Sequence, residues 1–134
     1  MKSYKIEHVG IAADDTEALA SWYIRTLGFR EFFRTQGDRP TIFLEDPSGA
    51  AVEVFARNPA EGKPGFEDRT GVHLAIAVED FDEACADLEA RGLRFLGEPR
   101  QVFSGGKARF FSDPEGNRLH IVHRPVSPWE RNKA

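Results

Sequence analysis

Four side chains that can bind a metal ion stand at matched places in this sequence, namely His8, Glu53, His73 and His120. His8 and His73 lie 65 positions apart, and Glu53 and His120 lie 67 positions apart. Imidazole nitrogen and carboxylate oxygen together suit divalent first-row ions, and a set of four leaves coordination positions open for water or substrate. The sequence therefore predicts one divalent metal ion (Zn, Ni, Fe, Mn or Co) at an open site, as metal catalysis requires.

The matched positions belong to a longer internal repeat. The segment His8–Ala12 (HVGIA) recurs as His73–Ala77 (HLAIA), and Asp46–Arg57 recurs as Asp113–Arg124 with the Asp-Pro-x-Gly start and the final Arg preserved. Fixed-period self-similarity of this kind is the signature of a repeated structural unit. Since both segments recur at nearly the same offset, we interpret the chain as two copies of one unit.

Each copy has the signals of a strand, a helix and then three strands. Alternating apolar residues predict the first strand of each copy at Lys5–Ala12 and Val72–Val78. Capping residues at the start and a glycine just after the end predict helices at Asp15–Leu27 and Asp80–Arg91. The Asp-Pro-x-Gly segments predict turns between the third and fourth strands.

The expected fold is therefore α+β, a single domain of residues 1–134 made of two tandem βαβββ units whose mixed sheets curl around a metal-binding cavity. We place the units at residues 4–57 and 71–124, with a linker at 58–70 and a tail at 125–134. A chain of this length can bury most of its apolar surface without help from disulfides.

Strand alternation also assigns the faces of the predicted sheets. His8 and His73 each share a face with glycine and alanine, which leave open space where a core would place larger side chains. The same rule separates Glu53 from its two valine neighbours and turns His123 away from His120. We therefore expect the four metal-capable side chains to line the cavity and His123 to lie on the other face.

Composition limits the partners of this chain. A net charge of −4 with scattered lysine and arginine gives no general attraction for nucleic acid. The single cysteine, Cys85, cannot form an internal disulfide, the start Met1–Lys5 lacks the apolar run of a signal peptide, and no stretch is long enough to cross a bilayer. We expect a cytoplasmic homodimer that acts on a small molecule and has no nucleic-acid or membrane partner.

In these residues and in its repeat, the sequence resembles the vicinal oxygen chelate superfamily, which includes glyoxalase I, extradiol dioxygenases and bleomycin-resistance proteins. The likeness covers roughly residues 5–124. Its matching pieces are Ile6–Gly10 around His8, the helix exit from Tyr23 to Phe29, Ala51–Val54 around Glu53, Val72–Ala75 around His73, and the turn Asp113–Asn117. The resemblance implies the two-unit fold and the metal ligands His8, Glu53 and His73.

The last ligand of this family is commonly a glutamate, which acts as a base in glyoxalase I, whereas the corresponding residue here is His120. Glu53 is then the carboxylate among the four ligands, and we expect it to serve as the catalytic base. Lys107, Arg109 and Phe111 alternate onto one face of a predicted strand, and we expect them to bind the substrate, with the two cations holding an anionic group.

The leading functional hypothesis is a metal-dependent lyase or isomerase of the glyoxalase type. Its substrate would be a small molecule that chelates the ion through neighbouring oxygens, with the ion as Lewis acid. Two alternatives stay open. A non-haem Fe(II) dioxygenase of the extradiol type uses two histidines and a carboxylate, and a bleomycin-resistance-like protein binds a ligand without catalysis.

Overall fold

The structure is a computed structural model that describes residues 2–60 and 72–126. The chain divides into two compact units, Met1–Pro64 and Gly65–Ala134. Most of the predicted linker, 58–70, and of the predicted tail, 125–134, lies outside the described residues.

Each unit follows the predicted order of strand, helix and three strands. Unit 1 contains β1 (Val9–Ala13), α1 (Thr16–Leu27), β2 (Arg30–Arg34), β3 (Ile42–Glu45) and β4 (Ala51–Ala56). Unit 2 contains β5 (Leu74–Ala77), α2 (Phe81–Ala90), β6 (Arg100–Val102), β7 (Gly106–Ser112) and β8 (Arg118–His123). The strand order is β1-β4-β3-β2 in one sheet and β5-β8-β7-β6 in the other. The predicted α+β fold of two tandem βαβββ units is confirmed.

Both sheets are mixed, because the first strand of each unit pairs in parallel with the last strand while the other pairs are antiparallel. A parallel pair needs a crossover connection, and in each unit the helix lies within that connection. Neither helix in the described ranges is long and apolar enough to cross a membrane.

The helices begin where the capping residues predict. The Asp15 carboxylate accepts a hydrogen bond from the Ala18 N–H at 3.0 Å, and the Asp80 carboxylate accepts one from the Glu83 N–H at 3.0 Å. Each bond satisfies an N–H group that has no partner inside the helix, which fixes the first turn.

Each helix covers one face of its own sheet, and this face forms the core of the unit. In unit 1 the side chains of Tyr23, Ile42 and Val54 are fully buried, and in unit 2 those of Leu119 and Ile121 are. The alternate residues of β3 and β4 are half-buried, and so are Arg118 and His120 of β8, whereas Val122 of β8 is buried. The helix side of each sheet is therefore packed, and the other side holds the residues that can do chemistry.

The first strands are shorter than the sequence predicts. β1 begins at Val9 rather than Lys5, and β5 begins at Leu74 rather than Val72. Their pairing explains the difference, because Val9 pairs with Val52 at the start of β4 and Leu74 pairs with Leu119 at the start of β8. The next residues back, His8 and His73, come level with the first residues of β4 and β8, and the residues before them extend past those strands. The histidine of each unit therefore immediately precedes its strand.

The two Asp-Pro-x-Gly segments form equivalent turns before β4 and β8. Asp46 Oδ1 accepts hydrogen bonds from the Ser48 and Ala50 N–H groups at 2.8 and 2.9 Å. Asp113 Oδ1 accepts the corresponding bonds from Glu115 and Asn117 at 2.9 and 3.0 Å. The turn glycine has a φ of +91° in unit 1 and +90° in unit 2, a conformation that favours glycine. These turns start β4 and β8 at matching places and so position Glu53 and His120 alike.

Candidate functional site

His8 and Glu53 face each other on the open side of the unit 1 sheet. The Nε2 atom of His8 lies 3.7 Å from the Oε1 atom of Glu53, and both side chains are partly exposed. Gly10 pairs with Glu53 across the parallel strands, and a Cβ atom on Gly10 would lie 3.2 Å from that carboxylate oxygen and 3.2 Å from the Phe55 ring. The glycine therefore leaves the space that the Glu53 carboxylate occupies beside β1.

The second nitrogen of His8 has its own partner. The Nδ1 atom lies 2.9 Å from the Oε1 atom of Glu7. In the tautomer whose Nδ1–H donates to Glu7, the Nε2 atom presents a lone pair toward the Glu53 carboxylate. Two electron-rich atoms facing each other at this distance need a proton or a cation between them. A carboxylate behind a histidine in this way is the usual arrangement around a bound metal ion.

His73 and His120 form the equivalent pair in unit 2. Their ring centroids lie 4.7 Å apart. The Nδ1 atom of His120 is buried and has no hydrogen-bond partner among the described residues. Burial of the ring, with smaller contributions from His73 and Arg124, lowers the pKa of His120 to about 4. His120 is therefore a neutral imidazole at pH 7, which is the form that binds a metal ion.

A pair of aromatic rings that sequence reasoning missed stands beside these side chains. Phe43 pairs with Glu53 across β3 and β4, and Phe110 pairs with His120 across β7 and β8. The Phe43 ring makes an edge contact with His8 at 5.3 Å, and the Phe110 ring makes one with His73 at 5.8 Å. The signal was present in the sequence, because the two phenylalanines occupy matching positions in the repeat.

A β-bulge extends the aromatic surface in unit 1. The register of β2 against β3 shifts between Glu31 and Phe33, so Phe32 is an additional residue. The rings of Phe32 and Phe33 lie 5.9 and 6.0 Å from the Phe43 ring, and both side chains are exposed. A cluster of the exposed Phe32 and Phe33 and the half-buried Phe43 therefore adjoins His8.

The predicted substrate-binding residues Lys107, Arg109 and Phe111 do share one face of β7, but it is the face that carries α2. Phe111 is fully buried in the core. Arg109 donates a hydrogen bond to the Gly97 carbonyl at 2.8 Å and lies 3.8 Å from the Glu89 carboxylate of α2. The Lys107 ammonium lies over the Phe81 ring of α2. The structure does not bring these three residues together with His73 and His120, and the Phe111 side chain is inaccessible.

His123 lies on the opposite face from His120, as alternation predicts. Its Nδ1 atom lies 3.0 Å from the Val78 carbonyl oxygen. This contact between β8 and the end of β5 gives His123 a structural role away from the candidate ligands.

The residues present fit a divalent cation. Each unit supplies two side chains that can coordinate one, with a carboxylate in unit 1 and a neutral imidazole with an unpartnered nitrogen in unit 2. Within either unit, no three His, Cys, Asp or Glu side chains of residues 2–60 and 72–126 gather as a metal site requires.

Comparison with known proteins gives the same family from sequence and from structure. The sequence model of the Glyoxalase/Bleomycin resistance protein/Dioxygenase superfamily matches residues 5–121. The crystal structure of a glyoxalase family protein from Enterococcus faecalis superposes with a TM-score of 0.74 at 28% identity, over 88% of this chain and 96% of that one.

Of two curated relatives, one has a name that gives an activity and the other does not. YaeR, an uncharacterized protein of Escherichia coli (strain K12), is 26% identical over 124 residues, which is 90% of this chain and 96% of the relative. A 2-epi-5-epi-valiolone epimerase of Actinomyces sp is 33% identical over 85 residues, which is 59% of this chain and 46% of the relative. The chain thus spans nearly all of the first relative and under half of the second.

Proposed function

The chain belongs to the Glyoxalase/Bleomycin resistance protein/Dioxygenase superfamily, the vicinal oxygen chelate proteins, and from this premise we propose that it is a divalent-metal-dependent lyase or isomerase of the glyoxalase type. Its substrate is a small molecule that presents two neighbouring oxygens. The proposed ligands of the ion are His8, Glu53, His73 and His120.

One observation carries this proposal. The duplicated unit places a pair of metal-capable side chains at the same position twice, with His8 beside Glu53 and His73 beside His120. A single histidine or a single glutamate on an open sheet face would not by itself indicate a metal site. Four such side chains occupy repeat-equivalent positions, and each pair lies next to an equivalent phenylalanine. This repetition supports a common role in binding a metal ion.

The mechanism assigns different tasks to the two pairs. When bound, the ion supplies Lewis acidity that makes a proton on carbon next to a substrate oxygen more acidic. Glu53 is the carboxylate of the set and takes up that proton on Oε1 or Oε2, and it can return the proton to the same or the neighbouring carbon. His120 is neutral and has no carboxylate oxygen, so it holds the ion and leaves proton transfer to Glu53.

The relative named as an epimerase is consistent with this reaction class. Removing a proton from a carbon and returning it is one way to invert that carbon centre. We propose proton transfer of this kind for the present chain.

Non-catalytic ligand binding is a second candidate, and one observation favours it. Phe32 and Phe33 are about half exposed beside Phe43 and His8, and a planar apolar molecule can stack on such rings. A binding protein needs this surface but does not need Glu53 as a base.

The experiment that tests the proposal begins with metal content. Purified protein is stripped with chelator and titrated with Zn²⁺, Ni²⁺, Mn²⁺, Co²⁺ and anaerobic Fe²⁺, and binding and thermal stability are measured. We expect one ion per chain, with binding lost in His8→Ala and Glu53→Ala. His123→Ala is the matched control, because His123 lies on the other sheet face, and it should retain binding. No uptake of any of these ions, or equal loss in all three variants, contradicts the proposal.

Activity is then assayed with the loaded protein. Methylglyoxal plus a thiol tests the glyoxalase type of reaction, and catechols with and without oxygen test the dioxygenase alternative. Turnover that requires oxygen would replace the proposed reaction by a dioxygenase. Tight binding of aromatic ligands by Glu53→Ala at wild-type affinity, without turnover by either protein, would select the binding protein.

A further inference from the structure

The second ring nitrogen of His8 has a carboxylate partner in the preceding residue. The Nδ1 atom of His8 lies 2.9 Å from the Oε1 atom of Glu7, and its Nε2 atom lies 3.7 Å from the Oε1 atom of Glu53. A neutral histidine can carry its proton on either nitrogen, but an ionised carboxylate only accepts hydrogen bonds. The bond to Glu7 therefore requires the proton on Nδ1 and leaves the lone pair on Nε2, the nitrogen that faces Glu53.

The contact between Glu7 and His8 depends on where β1 begins. Neighbouring side chains inside a strand point to opposite faces of the sheet, which separates them. β1 begins at Val9, and residues 2–8 lie outside any strand of the described ranges. The Glu7 side chain can therefore reach the ring of the next residue in the chain.

Unit 2 lacks this carboxylate. Val72 occupies the position of Glu7 in the repeat, 65 residues later, and its side chain cannot accept a hydrogen bond. His73 thus receives no support from the residue before it, and the buried Nδ1 atom of His120 has no hydrogen-bond partner among the described residues. The two units keep the histidine in front of the first strand and differ in the residue that precedes it.

Folding does not explain the presence of Glu7. Its side chain is 85% exposed, and a charged contact at such a surface contributes little to stability. Unit 2 forms the same strand after Val72, whose side chain is also exposed. A carboxylate on the second nitrogen of a metal-binding histidine has a different effect, because it fixes the tautomer and the direction of the ring.

We propose that Glu7 is a positioning residue of the metal site, which holds the proton of His8 on Nδ1 and directs Nε2 toward the ion. The role toward the ion rests on the proposed function, whereas the place of the proton is a property of the metal-free protein. Buried partners of this kind change metal affinity by roughly tenfold to a hundredfold. Since Glu7 is exposed and competes with water, we expect about threefold to tenfold.

The first test locates the proton in metal-free protein. The NMR chemical shifts of the ring nitrogens distinguish a protonated from an unprotonated nitrogen, and they are measured in mildly alkaline buffer, where imidazole is neutral. We expect the proton of His8 on Nδ1 in the wild type, both tautomers in Glu7→Ala, and Nδ1 again in Glu7→Gln, whose amide oxygen still accepts the bond. A proton on Nε2 in the wild type, or the same tautomer in the wild type and Glu7→Ala, overturns the positioning role.

The second test measures the affinity for Co²⁺ by competition with a coloured chelator. Glu7→Ala should weaken binding by about threefold to tenfold, and Glu7→Gln should recover most of the affinity. Asp38→Ala is the matched control, because it removes one negative charge from an exposed residue of the same unit, and it should bind Co²⁺ as the wild type does. Unchanged affinity in Glu7→Ala, or an equal loss in Asp38→Ala, overturns the assignment.

A third test adds the carboxylate where the repeat lacks one. Val72→Glu places it directly before His73, at a position where the side chain is exposed. We expect the proton of His73 on Nδ1 in the metal-free variant and Co²⁺ binding that is tighter by about threefold to tenfold. No change in either measurement would overturn the claim that the residue before the histidine sets its tautomer.

The outcomes separate this inference from the proposed function. The expected tautomers in the wild type and in Glu7→Ala, together with no uptake of any divalent ion, would refute the proposed function and keep the hydrogen bond. Uptake of Co²⁺ by a wild type whose His8 proton is on Nε2 would refute the positioning role alone.

Discussion

The Nε2 atom of His8 lies 3.7 Å from the Oε1 atom of Glu53, although the two residues are 45 positions apart in the chain. Parallel pairing of β1 with β4 creates this approach, because Gly10 is opposite Glu53 and His8 is the residue just before β1. The distance is too long for a strong hydrogen bond and suits two ligands on one ion.

Glu53→Gln keeps the shape of the side chain and removes its charge. We expect its affinity for a divalent ion to fall at least about tenfold, because a neutral amide oxygen is a weaker ligand than a carboxylate. The measurement is a competition titration with a coloured chelator. Glu98→Gln, an exposed glutamate of unit 2, is the control and should bind the ion as the wild type does. Unchanged affinity in Glu53→Gln would remove this residue from the ligand set.

Gly10→Ala should weaken metal binding without unfolding the protein. The added methyl group would lie 3.2 Å from the Glu53 carboxylate oxygen and from the Phe55 ring, so the carboxylate must move away from His8. Gly97→Ala is the matched control, since its new methyl group meets open space. Calorimetric titration measures the affinity for the metal ion, and thermal melting measures the stability of the fold, so the two effects are separated. Wild-type affinity in Gly10→Ala would show that metal binding does not need the Glu53 carboxylate at its observed position.

The titration of His120 should affect stability in acid. Its folded-state pKa of about 4 lies below the ordinary value of 6.5, mainly because of burial, so the unfolded chain takes up a proton more readily. The contribution of this neutral ring is fully present above pH 6.5 and declines as the pH falls toward 4. The free energy of unfolding of the metal-free protein, measured by denaturant titration from pH 7 to 4, should fall less in His120→Asn. Parallel curves for the two proteins would contradict the burial of this ring.

Asp113→Ala should destabilise the protein more than Asp46→Ala does. Both carboxylates accept two backbone hydrogen bonds in equivalent turns, but Asp113 is buried and Asp46 is partly exposed. Loss of a buried acceptor leaves its N–H donors without a hydrogen-bond partner where water does not replace it. This costs roughly 1–3 kcal/mol of folding free energy. Chemical denaturation measures the difference, and equal losses would mean that the two turns are equally solvated.

The Asp46 turn also gives a pH dependence. Partial burial alone raises the pKa of Asp46, but hydrogen bonds from the Ser48 hydroxyl and the N–H groups of residues 48–50 outweigh it and lower the pKa below the usual range. The stabilisation is therefore present above the usual pKa and is lost as the pH falls through the lowered value. In Asp46→Asn the free energy of unfolding should decrease less as the pH is lowered than it does in the wild type. The same decrease in both proteins would contradict the lowered pKa.

The sequence by itself determined the two-unit fold, the ends of both helices and which residues share a strand face. Capping by Asp15 and Asp80 depends on neighbouring residues only, and alternation within one strand separates His120 from His123 without any partner. The repeat made these local signals stronger, because each occurs twice.

Only the tertiary structure decided where the strands begin and which face of each strand meets which neighbour. Alternation grouped Lys107, Arg109 and Phe111 correctly, but pairing with β8 shows that Phe110 is the residue beside His120. The bulge at Phe32 and the approach of Arg100 to Phe110 likewise depend on pairing between segments distant in the chain. Register is a property of two strands together, so no single segment of sequence contains it.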